Sequence, residues 1–430
     1  MQRRPLVAAP IAFAFLLGCQ DAAQHPQSTE RREEIETRSA ADGLERDLPR
    51  DLQSEIDALD ADIAAGEYGM IDEVLVVRDG ETVFHLTYDR DYGDLVDLEA
   101  VKDGPFKYDD GAFAYADPDW HPYYRETKLH TLQSVTKTIV SLLIGVAEMR
   151  SELPDIRTAK LLDHIDDRYQ TPHRNEWLEA VTIEHLVSMT MNLEWDDSLD
   201  RSGGETGLSN LEQLEWQEDD WVQYVLNQPM AGPPGSVYEY NSGATQLLSA
   251  VIEHATGKNL AEYADEHLFK PLGVTDYYWK TSPAGLYDAL GGLYLHIREL
   301  PKFCELMGAR GDWRGRRLIT EDYAIRSLTP ISYFNESGEQ IDESGVRGFG
   351  YTWWTGAGSG YSAERPFEIN SGYGGQFVYC SPASNSVTAL LAWNVSDLQR
   401  PDLTKDEYQV SPLLKKRIDD VIMPLWAQDK

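Results

Sequence analysis

The chain has 430 residues, 42% hydrophobic and 26% charged, with a formal net charge of -35. That much apolar material can form a sizeable core without disulfides or metals. A surface so negative repels phosphate backbones, which argues against nucleic acid as a partner. Its plain consequence is solubility; the sharper expectation is adaptation to salty surroundings, where screening relieves self-repulsion.

Residues 1–18 read as a secretion signal. Arg3 and Arg4 give a positive start, and the apolar run Pro5 to Gly18 is too short to span a bilayer comfortably. The run ends in Leu16-Leu17-Gly18-Cys19, which resembles the lipobox of bacterial lipoproteins. That resemblance implies cleavage before Cys19, a lipid anchor on Cys19 and attachment to the cell envelope. By the same resemblance, Gln20 rather than an aspartate after the cysteine implies the outer membrane of a two-membrane bacterium, facing the periplasm. Residues 19–50 are polar and poor in aromatics, as a tether would be, and residues 51–430 form the folded part.

Leu52 to Ala65 has apolar residues at helical spacing. Two β-rich runs follow, Glu73 to Val77 and Thr82 to Tyr88, joined through Asp79-Gly80, a strong hairpin signal. The stretch from Asp89 to Lys128 reads as irregular. Val135 to Met149 is apolar on nearly every face, so its helix belongs in the protein's interior. From Pro154 to Pro271 the pattern is mostly helical, which predicts an all-helical subdomain over about residues 154–285. A helix over Arg298 to Leu306 and strands over Gln376 to Tyr379 and Ser386 to Trp393 complete the chain. The fold class is therefore α/β in the α+β sense: an antiparallel sheet from the N- and C-terminal parts, flanked by helices, with a helical insertion. Cys304 and Cys380 fall in segments of different kind, and two buried free thiols are expected there.

Three segments carry chemistry. Ser134-Val135-Thr136-Lys137 opens the interior helix, and residues three apart on a helix share a face. The helix N-terminus offers free N–H groups to an oxyanion. It also combines with burial to disfavour a charged lysine, and a neutral lysine can serve as the base that a serine nucleophile needs. The plain alternative is a capping serine and a surface lysine, but a buried helix leaves little room for an idle cation. The second segment is Tyr240-Asn241-Ser242, in a loop just before a helix that closes at Thr256-Gly257; the alternative is a packing tyrosine. The third is Asn370-Ser371-Gly372-Tyr373-Gly374-Gly375, whose glycines let a strand edge approach a substrate; the alternative is a simple glycine-rich turn.

Taken in order over about residues 70 to 395, these segments resemble the serine β-lactamase-like hydrolases of the class C type. That family includes penicillin-recognising enzymes, esterases and nylon-oligomer amidases. His130 to Gln133, Val181 to Leu186, Gly291 to Tyr294 and Gly350 to Trp354 add to the likeness. The resemblance implies a β-lactamase/transpeptidase-like fold. It makes Ser134 the nucleophile, Lys137 its proton acceptor and Tyr240 the proton shuttle to the leaving group. The N–H groups of Ser134 and Tyr373 become the oxyanion hole, with Gly372, Asn370, Ser242 and Asn241 contacting substrate.

Two departures from the family pattern matter. Ser242 stands two residues after the tyrosine, where many relatives have asparagine. Asn370 opens the third motif in place of a lysine or histidine, giving up a cation that could hold a penicillin carboxylate. The expected function is hydrolysis of a small ester or amide through an acyl-enzyme on Ser134. The alternatives are a penicillin-recognising β-lactamase or D,D-peptidase, and an inactive envelope-binding relative. The ten histidines show no zinc-type spacing, and no phosphate-binding loop is present, so neither metal nor cofactor is implied. The partners expected are a small-molecule substrate and, through Cys19, a membrane.

Overall fold

The computed structural model describes residues 49–96, 113–198, 208–217, 219–335, 338–343, 345–395 and 404–428. The signal-like segment, the lipidation site expected at Cys19 and nearly all of the tether lie outside these residues. Among the described residues, no helix is long and apolar enough to cross a membrane.

A nine-stranded sheet organises the chain. Its order is Glu81–Thr87, Ile71–Arg78, Ser386–Ala392, Phe377–Ser381, Phe367–Ile369, Trp353–Gly356, Arg347–Phe349, Ser332–Phe334 and Gln340–Ile341. Every neighbouring pair is antiparallel. The first two strands are the hairpin expected from Asp79-Gly80. Both turn residues take positive φ, 53° and 78°, which matches the twist of a tight hairpin. The Ile71–Arg78 strand lacks clean alternation because both its faces are covered. Val74 and Val76 pack with Leu52, Ile56 and Leu59 of the Arg50–Ala64 helix, and Leu75 joins the larger core on the other face. Its far edge pairs with Ser386–Ala392, so the two ends of the chain share one sheet.

The Val135–Met149 helix is the axis of the larger core; every residue from Val135 to Ala147 is buried. Its polar side chains are satisfied internally. Thr138 donates to the Thr352 carbonyl at 2.8 Å and Ser141 to the Tyr351 carbonyl at 3.1 Å. The Ser242–Thr256 helix packs against it, and Gly257 ends that helix at φ 67°. Between the two lie the short helices Glu176–Ala180, Ile183–Val187, Asn210–Gln217 and Trp221–Leu226.

One expectation fails. Cys304 and Cys380 form a disulfide, with Cα atoms 5.6 Å apart. The first lies on the Leu300–Gly308 helix and the second on the Phe377–Ser381 strand, and these two elements pack together. Sequence segments of different kind became neighbours through the sheet order, which local pattern does not encode.

Candidate active site

Ser134 occupies the N-cap position of the Val135–Met149 helix, yet its side chain makes no capping hydrogen bond. A serine there ordinarily spends its hydroxyl on a free N–H of the first turn. This one has Lys137 Nζ 2.9 Å from its Oγ. The preceding residue, Gln133, sits at φ 46°, a conformation costly for a residue with a side chain and typical of functional turns.

Lys137 is 1% exposed. Besides Ser134, it donates to the Leu290 carbonyl at 2.8 Å, and its Nζ lies 5.3 Å from the centroid of the Tyr240 ring. Leu290 is itself held in place: its N–H and that of Gly291 donate to Asp288 Oδ1 at 3.0 and 2.9 Å. Flanking Lys137, Thr136 accepts from the Leu293 N–H at 3.2 Å, and Thr138 accepts from the Asn370 N–H at 3.1 Å. These bonds tie both neighbouring segments to the same turn of helix. Burial lowers the Lys137 pKa to about 8, against the pull of Asp197, Asp288 and Glu215. About a tenth of the amine is therefore neutral at pH 7, and about half at pH 8.

Tyr240 is held differently. Burial raises its pKa above the usual phenol value, and the negative charge of Asp197 adds to this; hydrogen bonds with Ser134 and Asn370 act the other way. The group is thus a protonated phenol at working pH. Asn370 Nδ2 donates to its hydroxyl at 3.0 Å, and Trp354 Nε1 lies 3.4 Å from Asn370 Oδ1. Because the phenol oxygen accepts from Asn370, its own hydrogen remains available to a reacting group.

Ser134, Lys137 and Tyr240 line one cavity of about 430 Å³, joined there by Asn370, Tyr373 and Ser242. That volume suits a small organic substrate. Ser242 donates through both N–H and hydroxyl to Asp197, at 2.7 and 2.9 Å, so its side chain braces a carboxylate at the cavity wall. Two residues expected to contact substrate do not line the cavity. Asn241 spends its side chain capping the Ser242–Thr256 helix, accepting from the Ala244 N–H at 2.8 Å. Gly372 is buried beneath the loop; a Cβ there would lie 2.5 Å from the Leu132 carbonyl oxygen, so the position serves close packing.

Sequence reasoning missed Asp197, Glu215, Tyr115 and Arg347, which also line the cavity. Glu215 left one usable signal: it lies four residues after the buried Leu211, on the apolar face of its helix. Arg347 is engaged at the rim, 2.8 Å from Glu368 and stacked over Trp354 at 4.1 Å.

A mixed α/β fold built on an antiparallel sheet, with a serine at a helix N-terminus beside a buried lysine and a phenol, defines a β-lactamase-type protein. The Beta-lactamase family model matches residues 64–407, and the chain belongs to that family. Among curated relatives, esterase EstB of Burkholderia gladioli is 31% identical over 159 residues. That alignment covers 35% of this chain and 38% of the relative, so well under half of the relative's length is matched. Among solved structures, EstCE1, a hydrolase with promiscuous acyltransferase activity, superposes with a TM-score of 0.57 at 13% identity, over 87% of this chain and 99% of its own. A penicillin-binding protein homologue from Caulobacter crescentus gives 0.54 at 16% identity, over 84% and 96%. At these identities the structural likeness speaks for the fold alone.

Proposed function

We propose that the protein is a serine hydrolase that cleaves an ester or amide bond of a small substrate through an acyl-enzyme on Ser134. The observation that carries this reading is the buried Lys137 amine, 2.9 Å from Ser134 Oγ and lowered in pKa to about 8. Neutral Lys137 takes the Ser134 proton as Oγ attacks the carbonyl carbon. The resulting oxyanion is met by the N–H groups of Ser134 and Tyr373. Tyr240 gives its proton to the departing alkoxide or amine and is reprotonated by the Lys137 ammonium, which restores the neutral amine. Water then releases the acyl group by the same route run in reverse. The esterase among the relatives supports ester chemistry, and Asn370 in place of a cation supports it over carboxylate-bearing substrates.

A second reading, penicillin recognition, has one observation in its favour: Arg347 brings a guanidinium to the cavity edge. Its engagement by Glu368 weighs against it.

Labelling separates the two. The purified protein is treated with a serine-reactive phosphonate and with a fluorescent penicillin, and adducts are located by mass. Phosphonate on Ser134, absent from Ser134→Ala, with no penicillin adduct is the expected result. A penicillin adduct on Ser134 supports the second reading. The absence of any adduct on Ser134 refutes the acyl-enzyme.

A further inference from the structure

The proposed reaction gives no task to Glu215, a charged group of the cavity. Glu215 is only 6% exposed, yet it lines the cavity with Ser134 and Lys137. Its Oε1 accepts the Tyr115 hydroxyl at 2.8 Å. Among the described residues, no other hydrogen bond and no ion pair reaches this carboxylate. The other charges nearby are already engaged. Asp197 accepts from Trp195 Nε1, the Ser242 N–H and the Ser242 hydroxyl, at 2.7, 2.7 and 2.9 Å. Behind the wall, Lys280 and Asp288 stand 3.6 Å apart and oppose each other in sign. Arg347 faces Glu368.

Lys280, whose Nζ lies 5.4 Å from the Tyr115 ring centroid, offsets part of this buried charge, yet one carboxylate oxygen has no hydrogen-bond partner among the described residues. The walls beside it are aromatic. Tyr115 and Tyr373 both line the cavity, edge to face with centroids 6.2 Å apart. An acidic group framed by tyrosine rings is the chemistry that recognises an organic ammonium, which combines charge with apolar surface. We propose that this end of the cavity is a specificity pocket for an ammonium group carried by the ester or amide substrate, with Glu215 as its counter-ion. The assignment rests on the acyl-enzyme reading above and names the substrate class for it.

The groups facing Glu215 are Tyr115, Lys280, Asp288 and Lys137. Burial raises its pKa to about 7; Asp288 acts in the same direction, while Lys280, the Tyr115 hydrogen bond and Lys137 act against it. Ionisation of Glu215 therefore rises with pH through about 7, and recognition of a permanently charged ammonium rises with it.

Two measurements on the full chain test the pocket. In the first, kcat/KM is compared within two isosteric ester pairs. One pair is the p-nitrophenyl ester of γ-trimethylammoniobutyrate and its analogue with carbon in place of nitrogen. The other is acetylcholine and its carbon analogue. A preference for the cation of about tenfold or more in at least one pair is expected, and it collapses in Glu215→Gln. Equal turnover within both pairs overturns the pocket and leaves the Ser134 chemistry standing.

The second measurement is calorimetric titration with butyltrimethylammonium chloride, which requires no turnover. Binding is expected to strengthen several-fold between pH about 6 and about 8 and to weaken about tenfold in Glu215→Gln. If no ester is hydrolysed, the acyl-enzyme reading falls, and the titration alone decides the pocket. Binding that ignores both pH and Glu215 overturns it. Should Glu215→Gln fail to fold, the pH dependence of binding to Lys137→Met, which lacks the other titrating group of the cavity, decides: a several-fold rise supports the pocket, and a flat profile overturns it.

Discussion

At the scale of single residues, the burial of Lys137 bears on stability and, under the proposed mechanism, on activity. If its neutral amine is the base, kcat/KM rises with pH and levels off above an apparent pKa near 8. Lys137→Met is expected to lower kcat/KM by about 10²–10⁴-fold. The sign of the shift also fixes how stability varies with pH. The folded-state pKa lies below the unfolded value of 10.5. Below pH 8 both states hold the proton, and the cost of burying it is fully present. Between about 8 and about 10.5 only the unfolded state binds the proton, so wild-type stability rises with pH. Relative to Lys137→Met, the wild type should gain about 2 kcal/mol between pH about 7 and about 9.5, read by urea unfolding. A constant difference across that range would show that the amine titrates normally. The serine and lysine were legible because a spacing of three on a helix is local. Asp197 and Glu215 were not, because 73 acidic residues disguise two that face inward, and their burial arises from elements far apart in sequence.

At the scale of elements, the same division separates the hairpin from the disulfide. Asp79-Gly80 declares its turn within four residues, and the structure has both residues at positive φ. The interior helix was equally legible, since apolar residues on every face leave no exposed side. Cys304 and Cys380 are 76 residues apart and meet only because the Leu300–Gly308 helix lies against the Phe377–Ser381 strand. Cross-linking a loop of that length restricts the unfolded chain, and its loss costs about 2–4 kcal/mol on typical behaviour. Cys304→Ser with Cys380→Ser should therefore lower the melting temperature, as should a reductant strong enough to open the wild-type bond. The double variant should show no further response to that reductant. Melting unchanged by both treatments would mean that the two sulfurs are not joined in solution.

At the scale of the whole molecule, charge is the dominant variable. The chain carries 73 acidic and 38 basic side chains. Even if every lysine and arginine held one carboxylate, 35 would remain without a cationic partner (73 minus 38). Local pairs such as Arg157 with Asp155 and Arg310 with Glu321 therefore cannot neutralise the surface. Exposed pairs of this kind contribute little individually, whereas the surplus carboxylates repel one another over distances comparable to the Debye length. That length falls from about 30 Å at 0.01 M salt to about 10 Å at 0.1 M, so added salt removes repulsion before it weakens close pairs. Sodium chloride should accordingly raise the melting temperature by a few degrees, with most of the gain complete by about 0.1–0.2 M. Potassium chloride should reproduce the effect, since screening depends on ionic strength and not on the identity of the cation. A melting temperature that fell steadily over the same range would mean that attractive pairs outweigh the surplus, and the acidic surface would then need another explanation than tolerance of salt.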